Sequence, residues 1–216
     1  MTHYELLAQL FEYPEEGFER KVEEVQEFLD KKYPEAGKNL RAFTEYMFQL
    51  PTIKQQELFI RSFDVQAVTT LDLGYVMFGD DYKRGELLVN LNREHRQAQN
   101  NCGVELSDHL PNVLRLLPKM ENQAIVHELV EKIIAPALKK MIRGFEPDQI
   151  KMRDKFYQRK HKTIIERPDE HFTIYQKTLE VLYWILKKDF GFQEQESREK
   201  TSDFLKNIVV ETSLEG

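Results

Sequence analysis

Cysteine is nearly absent, with Cys102 the only one among 216 residues. That excludes an intramolecular disulfide and any multi-cysteine zinc or iron–sulfur site built from this chain alone, and it fits a reducing compartment. Glycine and proline are scarce, nine and eight. The glycines form neither a G-x-G-x-x-G nor a Walker phosphate loop, so nucleotide binding finds no support. No run approaches the roughly 18 unbroken apolar residues of a membrane span. The opening segment, Met1 to Leu10, carries Glu5 and Gln9 where an export signal needs a basic start and a long apolar run, so a protein that is not exported is expected. No repeat period is visible, which disfavours a solenoid. Basic residues are outnumbered, 31 against 37 acids, for a net charge of -6. A general nucleic-acid binder is normally basic, so protein or peptide partners are the better expectation.

What is present is helical patterning. Hydrophobic residues make up 41% and charged residues 31%, a balance that supports a compact core. Val126, Leu129, Val130, Ile133, Ile134, Ala137, Leu138 and Met141 recur at i, i+3, i+4, i+7, with Glu131, Lys132, Lys139 and Lys140 between them. That predicts a helix over Glu121 to Arg143, kinked at Pro136, which lacks a backbone donor. The same reading places helices at Tyr4 to Phe11, Glu16 to Lys32, Pro34 to Gln49, Thr52 to Phe63, Val65 to Met77, Asp81 to Asn100, Asp108 to Leu116, Pro147 to Arg159 and Glu170 to Lys188. Thr52 with Gln55 has the capping-box pattern, Asp108 and Asp169 are suitable N-caps, and Pro147 suits a first turn. The expected fold is all-α, a single-domain helical bundle over residues 1–192, followed by a polar tail, 193–216. In that tail Phe204, Leu205, Ile208 and Val209 leave a last amphipathic turn open. Asn100 to Ser107 forms a loop able to turn sharply between helices, a candidate hinge.

Catalytic motifs are lacking. His127-Glu128-Leu129-Val130-Glu131 has a zinc-protease look, but Glu131 stands where a second histidine ligand is needed. His95, His109, His161 and His171 share no metal-like spacing. Cys102 has no sequence neighbour placed to activate its thiol. Lysine and arginine dominate from Lys132 to Lys162, and acids dominate the N-terminal third, including Glu15, Glu16, Glu19, Glu23, Glu24 and Glu27. Both runs read first as solvated helix faces.

One stretch says more. Phe63-Asp64, then Gly79-Asp80-Asp81 with Arg84-Gly85, then Glu105-Leu106-Ser107-Asp108-His109-Leu110-Pro111 stand in an order that resembles the central region of NarJ-type chaperones. These are the nitrate reductase branch of the TorD-like family of molybdoenzyme assembly proteins. The last piece is similar to the family's E-L-P-D-H-L-P run. Leu6-Leu7 and Tyr13-Pro14-Glu15-Glu16 agree more weakly, and the second half of the chain agrees only in helical character. Two departures stand out: Ser107 replaces a usual proline, which would loosen the hinge, and Leu71-Asp72-Leu73-Gly74 replaces a more apolar stretch.

The resemblance implies a TorD-like bundle acting as a cytoplasmic chaperone that is not an enzyme. It would bind the N-terminal segment of a molybdopterin oxidoreductase catalytic subunit and hold it competent for insertion of the molybdenum bis-guanine-dinucleotide cofactor. It would retain no cofactor or metal itself. The cofactor-insertion machinery is a further implied partner, and nucleic acid and membrane insertion are not expected. A monomer is expected, with helix exchange into dimers left open by the Asn100 to Ser107 loop. The implied peptide site comprises Asp64, Leu71, Tyr75, Arg84, Glu105, Leu106, Asp108, His109, Leu110 and Pro111. Asp108 would cap the helix that Pro111 helps to start, leaving His109 exposed at the junction, Leu106 and Leu110 offering apolar contact, and Glu105 and Asp108 reading basic residues. Two other classes remain open: a helical metal- or small-molecule-dependent enzyme using Glu105, Asp108 and His109, and a regulator whose basic stretch contacts nucleic acid.

Overall fold

The computed structural model describes residues 1–161 and 173–192. It is an all-α bundle, with no strand among the described residues. In chain order the helices are α1 (His3–Ala8), α2 (Phe18–Lys32), α3 (Pro34–Phe48), α4 (Thr52–Phe63), α5 (Leu73–Phe78), α6 (Tyr82–Gln97), α7 (Leu110–Leu116), α8 (Gln123–Leu129), α9 (Ala135–Gly144), α10 (Pro147–His161) and α11 (Tyr175–Phe190). The expected cap at Asp169, the start of the helix expected from Glu170, Lys162 at the end of the basic stretch, His171 and the tail from Gln193 lie outside the described residues. Among the described residues no helix is long and apolar enough to cross a membrane.

The chain divides into two compact units. The second takes in Tyr13–Thr70 and Leu138–Tyr183, and its simplest part is the α2–α3 pair. Phe18, Val22, Val25 and Leu29 recur at helical spacing and are all buried. Pro34 opens α3 at the position where its missing N–H costs nothing. Gly37 lets the two helices approach: a Cβ there would sit 2.3 Å from Asp30 Oδ1, and Gln26 Nε2 donates to the Gly37 carbonyl at 2.9 Å. The Thr52 capping box does not form. Pro51 is the N-cap, and the fully buried Gln55 turns its amide to the Met47 carbonyl (3.0 Å) and to Glu19 Oε1 (2.9 Å) instead. Burial is what decides this, since a buried carboxamide must find partners wherever the packing provides them.

Tyr175 is fully buried among aromatic rings, with the centroids of Phe43, Phe59 and Phe63 at 5.1, 5.8 and 5.1 Å, all tilted steeply. Such edge-to-face pairs add about 0.5–1.5 kcal/mol each beyond their area. Its hydroxyl, however, has no hydrogen-bond partner among the described residues, and burial pushes its pKa far above the ordinary tyrosine value. A desolvated, unpaired hydroxyl costs stability. Tyr175→Phe is therefore expected to raise the urea midpoint, by about 1 kcal/mol of stability. A lowered midpoint would show that the hydroxyl is satisfied in solution.

The first unit takes in Met1–Glu12, Leu71–Ala137 and the chain from Trp184. Tyr4, Leu7, Leu10 and Phe11 are fully buried, as are Leu87 and Leu91 of α6 and Val113, Leu114 and Leu117 after the loop. Asp189 Oδ2 is met by His3 Nε2 (2.7 Å) and the Tyr4 hydroxyl (2.8 Å), and Arg115 pairs with Glu12. The helix expected to kink at Pro136 instead passes through a π-helical turn, Val130–Ile134, with Ala135 N–H reaching back to the Val130 carbonyl. Widening the turn just ahead of the proline accommodates the missing donor. His127, in the zinc-protease-like run, stacks edge-on against Phe190 with centroids 4.9 Å apart.

The helix expected over Val65 to Met77 is only half formed. The chain leaves α4 at Asp64, takes a left-handed turn at Gln66 (φ 49) and becomes helical again only at Leu73. Val65, Val68, Thr69 and Thr70 are β-branched, which weakens helix preference. Here the amides of Val68 and Thr69 return to the carbonyls of Arg61 and Ser62 at 3.1 and 3.0 Å.

Candidate functional site

The site is assembled in the first unit, where two segments far apart in sequence meet. Leu73 N–H donates to the Asp108 carbonyl (3.0 Å) and Leu110 N–H to the Leu71 carbonyl (2.9 Å), an isolated antiparallel bridge that pairs Asp72 with His109. Asp72 is the N-cap residue of α5, yet its side chain makes no cap bond to that helix. The free N–H of Gly74 in the first turn is taken instead by Asp108 Oδ2 at 3.0 Å. A carboxylate from across the bridge thus caps α5, which satisfies an otherwise orphan donor. Gly74 is what allows this approach, since a Cβ would lie 2.7 Å from Asp108 Oδ2 and 3.1 Å from Arg84 Cγ.

The expectation that Asp108 caps α7 is therefore corrected. His109 is the N-cap residue of α7 and makes no side-chain cap, while Asp108 is fully buried. Arg84 joins the cluster from α6, with Nη2 on Asp72 Oδ2 (3.1 Å), Nε on Asp108 Oδ2 (3.4 Å) and the guanidinium 5.3 Å from the Tyr75 ring centroid. His109 Nδ1 lies 3.1 Å from Asp72 Oδ1. Burial, reinforced by the Asp72 charge, pushes the Asp108 carboxyl above its usual range against the pull of Arg84 and Gly74. The hydrogen bond from His109, outweighing burial, holds Asp72 below its usual range. Asp108 Oδ1 has no hydrogen-bond partner among the described residues. The ion pair to Arg84 thus does not compensate the burial of Asp108, as its long 3.4 Å contact leads one to expect.

The Asn100 to Ser107 loop is pinned, in contrast to the hinge expected from its sequence. Asn112, buried on α7, donates from Nδ2 to the carbonyls of Cys102 and Leu106, each at 3.1 Å. Asn100 Nδ2 donates to the Asn112 carbonyl (3.1 Å) and to His95 Nδ1 (3.0 Å), and Lys119 Nζ holds Asn100 Oδ1 at 2.7 Å. His95 Nε2 lies 3.0 Å from the Ser107 carbonyl. Ser107, expected to loosen the loop, tightens it: buried, it donates from Oγ to the Leu88 carbonyl at 3.3 Å, a bond proline could not make.

His95 gives the loop a pH dependence. Burial lowers its pKa below the ordinary 6.5, assisted by Lys119 and opposed by the Ser107 carbonyl. The folded state therefore refuses a proton that the unfolded state accepts, so this contribution is complete above pH 6.5 and is lost as pH falls below it toward the depressed value. Urea unfolding between pH 7.5 and 5.5 should show stability falling with pH, and His95→Gln should flatten that slope. An equal slope in both proteins would remove His95 as its source.

The pinned loop and α5 present apolar side chains to solvent. Val104 is fully exposed, and Leu106 and Tyr75 are 48% and 45% exposed. Glu105 is exposed between Val104 and Leu106. An open cleft of about 470 Å³ is lined by Val89, Asn92 and Arg96 of α6, by Gln99 just past its end, and by Asn101 and Cys102 of the loop. Burial pushes the Cys102 thiol above its ordinary pKa, which disfavours the thiolate.

Of the residues singled out from sequence, Arg84, Asp108 and His109 converge, with Glu105 Oε2 4.0 Å from the His109 ring. Leu71, Leu110 and Pro111 are buried and support the site from behind, so Leu110 offers a partner no apolar contact. Asp108 is equally removed from reading a partner's charge. Asp64 belongs to the second unit, where it ends α4. Asp72 and Gly74 were visible only as departures from a family pattern, and His95, Asn100 and Asn112 gave no signal beyond being polar residues near a loop. Among the described residues no group of three or more His, Cys, Asp or Glu side chains is placed to hold a metal ion. No protein-family model matches the chain, and no curated protein sequence matches it.

Proposed function

We propose that this chain is a cytoplasmic, non-catalytic chaperone that binds a segment of another polypeptide. In keeping with its resemblance to NarJ-type proteins, the segment would be the N-terminal part of a molybdoenzyme catalytic subunit, held competent for insertion of the molybdenum cofactor. The observation that supports this reading most is the pairing of exposed apolar groups with a rigid polar support. Val104, Glu105 and Leu106 stand on a loop held by at least five side-chain hydrogen bonds, just before His109, and Tyr75 of α5 is exposed against the Arg84 of the same cluster. Peptide sites use this mixture, apolar contact for affinity and a few fixed polar groups for register. A preorganised loop also avoids the ordering cost that weakens binding by flexible surfaces.

Calorimetry with N-terminal peptides of molybdoenzyme catalytic subunits from the same genome tests the reading. One peptide should bind, and Leu106→Asp should abolish its binding while leaving the helical circular dichroism unchanged. Absence of binding across the panel, with normal cofactor loading in a deletion strain, would overturn it.

A further inference from the structure

We propose that Asp72 is the positioning residue of this site: it fixes the proton of His109 on Nδ1 and so leaves the Nε2 lone pair as the acceptor for an N–H of the docked polypeptide. The inference rests on the peptide-binding reading and names the group on the partner that this imidazole recognises.

The tautomer follows from the partners. An ionised carboxylate only accepts, and Asp72 Oδ1 lies 3.1 Å from His109 Nδ1, so Nδ1 must be the donor. Asp72 is itself held in orientation by Arg84 Nη2, an obligate donor, on its other oxygen at 3.1 Å. Arg84 is anchored in turn by the buried Asp108. Nε2 has no hydrogen-bond partner among the described residues, and the histidine side chain is 18% exposed. A ring held this way by a carboxylate is set for one task at its other nitrogen, as in catalytic and metal-binding histidines. With no metal-holding group of ligands among the described residues, with the apolar Leu106 exposed just before the histidine in sequence and Tyr75 exposed against the Arg84 guanidinium, that task is accepting a hydrogen bond from a bound chain.

His95 provides an internal contrast. Its Nε2 faces the Ser107 carbonyl, which can only accept, and its Nδ1 receives Asn100 Nδ2–H, so it carries the opposite tautomer with both nitrogens occupied. One histidine is structural and complete, while the other has an open valence. Asp72 is also one of the residues at which the chain departs from the pattern it otherwise resembles, so this device belongs to this chain's own residues.

The test uses the full chain. Long-range 1H–15N spectra of the histidine rings should show His109 protonated at Nδ1 and His95 protonated at Nε2. In Asp72→Asn, the carboxamide oxygen stays on Arg84 and its NH2 turns to His109, so the His109 proton should move to Nε2. With a peptide that binds in the calorimetric panel, Asp72→Asn and His109→Leu should each weaken binding about tenfold, the size of one lost hydrogen bond with its partner left unpaired. His109→Gln, which can present an oxygen acceptor, should stay within about threefold of the parent protein. A His109 proton on Nε2 in the parent protein overturns the proposal, as does equal affinity of the parent, Asp72→Asn and His109→Leu proteins. If no peptide binds, the peptide-binding reading has failed and the proposal falls with it. Binding that ignores His109 removes the proposal alone.

Discussion

Asp108→Ala is expected to lower the free energy of unfolding by about 2–3 kcal/mol, read from urea denaturation followed by circular dichroism. The side chain occupies no exposed surface, so the whole loss is internal. Removing it leaves the Gly74 N–H of α5 without an acceptor, strips Arg84 of one of two carboxylates and opens a cavity at the bridge between residues 71–73 and 108–110. The value sits below the full cost of breaking a buried ion pair because Asp108 is itself incompletely satisfied, with Oδ1 unpaired among the described residues and its carboxyl held above the ordinary 3.8. That shift sets the sign with pH. A carboxyl with a raised folded pKa favours the folded state most when neutral, and loses that advantage as pH rises through the interval above 3.8. The deficit of the alanine variant should therefore widen as pH is lowered from 7 toward about 4. Asp72, whose carboxyl is held low, contributes in the opposite sense: its stabilisation is present above 3.8 and is lost below it in both proteins alike. Asp108→Asn, which keeps an acceptor for Gly74, should recover part of the loss at every pH. An unfolding free energy unchanged by Asp108→Ala would show that α5 does not depend on this distant cap.

Asn112→Ala should cost about 2 kcal/mol and should act on the loop more than on the bundle. One buried amide holds the carbonyls of both Cys102 and Leu106, and the Asn112 carbonyl receives Asn100, so truncation frees two acceptors at once. Hydrogen exchange should accelerate for the amides of residues 102–107 while those of α6 near Leu87 and Leu91 stay protected. Peptide affinity should fall as well, because Val104 and Leu106 would have to be ordered on binding. Uniform acceleration over the whole unit would mean that Asn112 supports the bundle and has no particular role in the loop.

The secondary structure was legible wherever one face of a helix is apolar along its length. The α2 stripe Phe18, Val22, Val25, Leu29 and the α9 stripe through Leu138 and Met141 could be read directly, because burial of such a stripe needs no knowledge of its partner. The bounds of α4 were read correctly at Thr52 and Phe63, although the capping box that signalled its start does not form. Failures fell where a side chain had two options of similar energy. Asp108 could cap its own helix or cross the bridge to cap α5, and Gln55 could close a capping box or turn into the core. A hydrogen bond is worth about 1 kcal/mol either way, so local pattern cannot decide between them. Val65 to Thr70 failed for a related reason: the apolar spacing was helical, but β-branched residues make that preference weak enough for backbone bonds to Arg61 and Ser62 to override it.

The sequence by itself determined the scarcity of cysteine, the acidic balance and the all-helical class, since composition and the 3.6-residue period do not depend on how helices pack. It also marked Asp108 and His109 as a place of interest, although with the wrong roles for Asp108 and Leu110. Only the tertiary structure decided that Asp108 is buried, that Ser107 tightens the loop, and that Asp72 and Gly74 are its counterparts 34 to 37 residues away in sequence. Those are properties of a bridge between two segments. Its hydrogen bonds exist only once Leu71, Leu73 and Leu110 are packed in the core, and no window along the chain contains both sides of it.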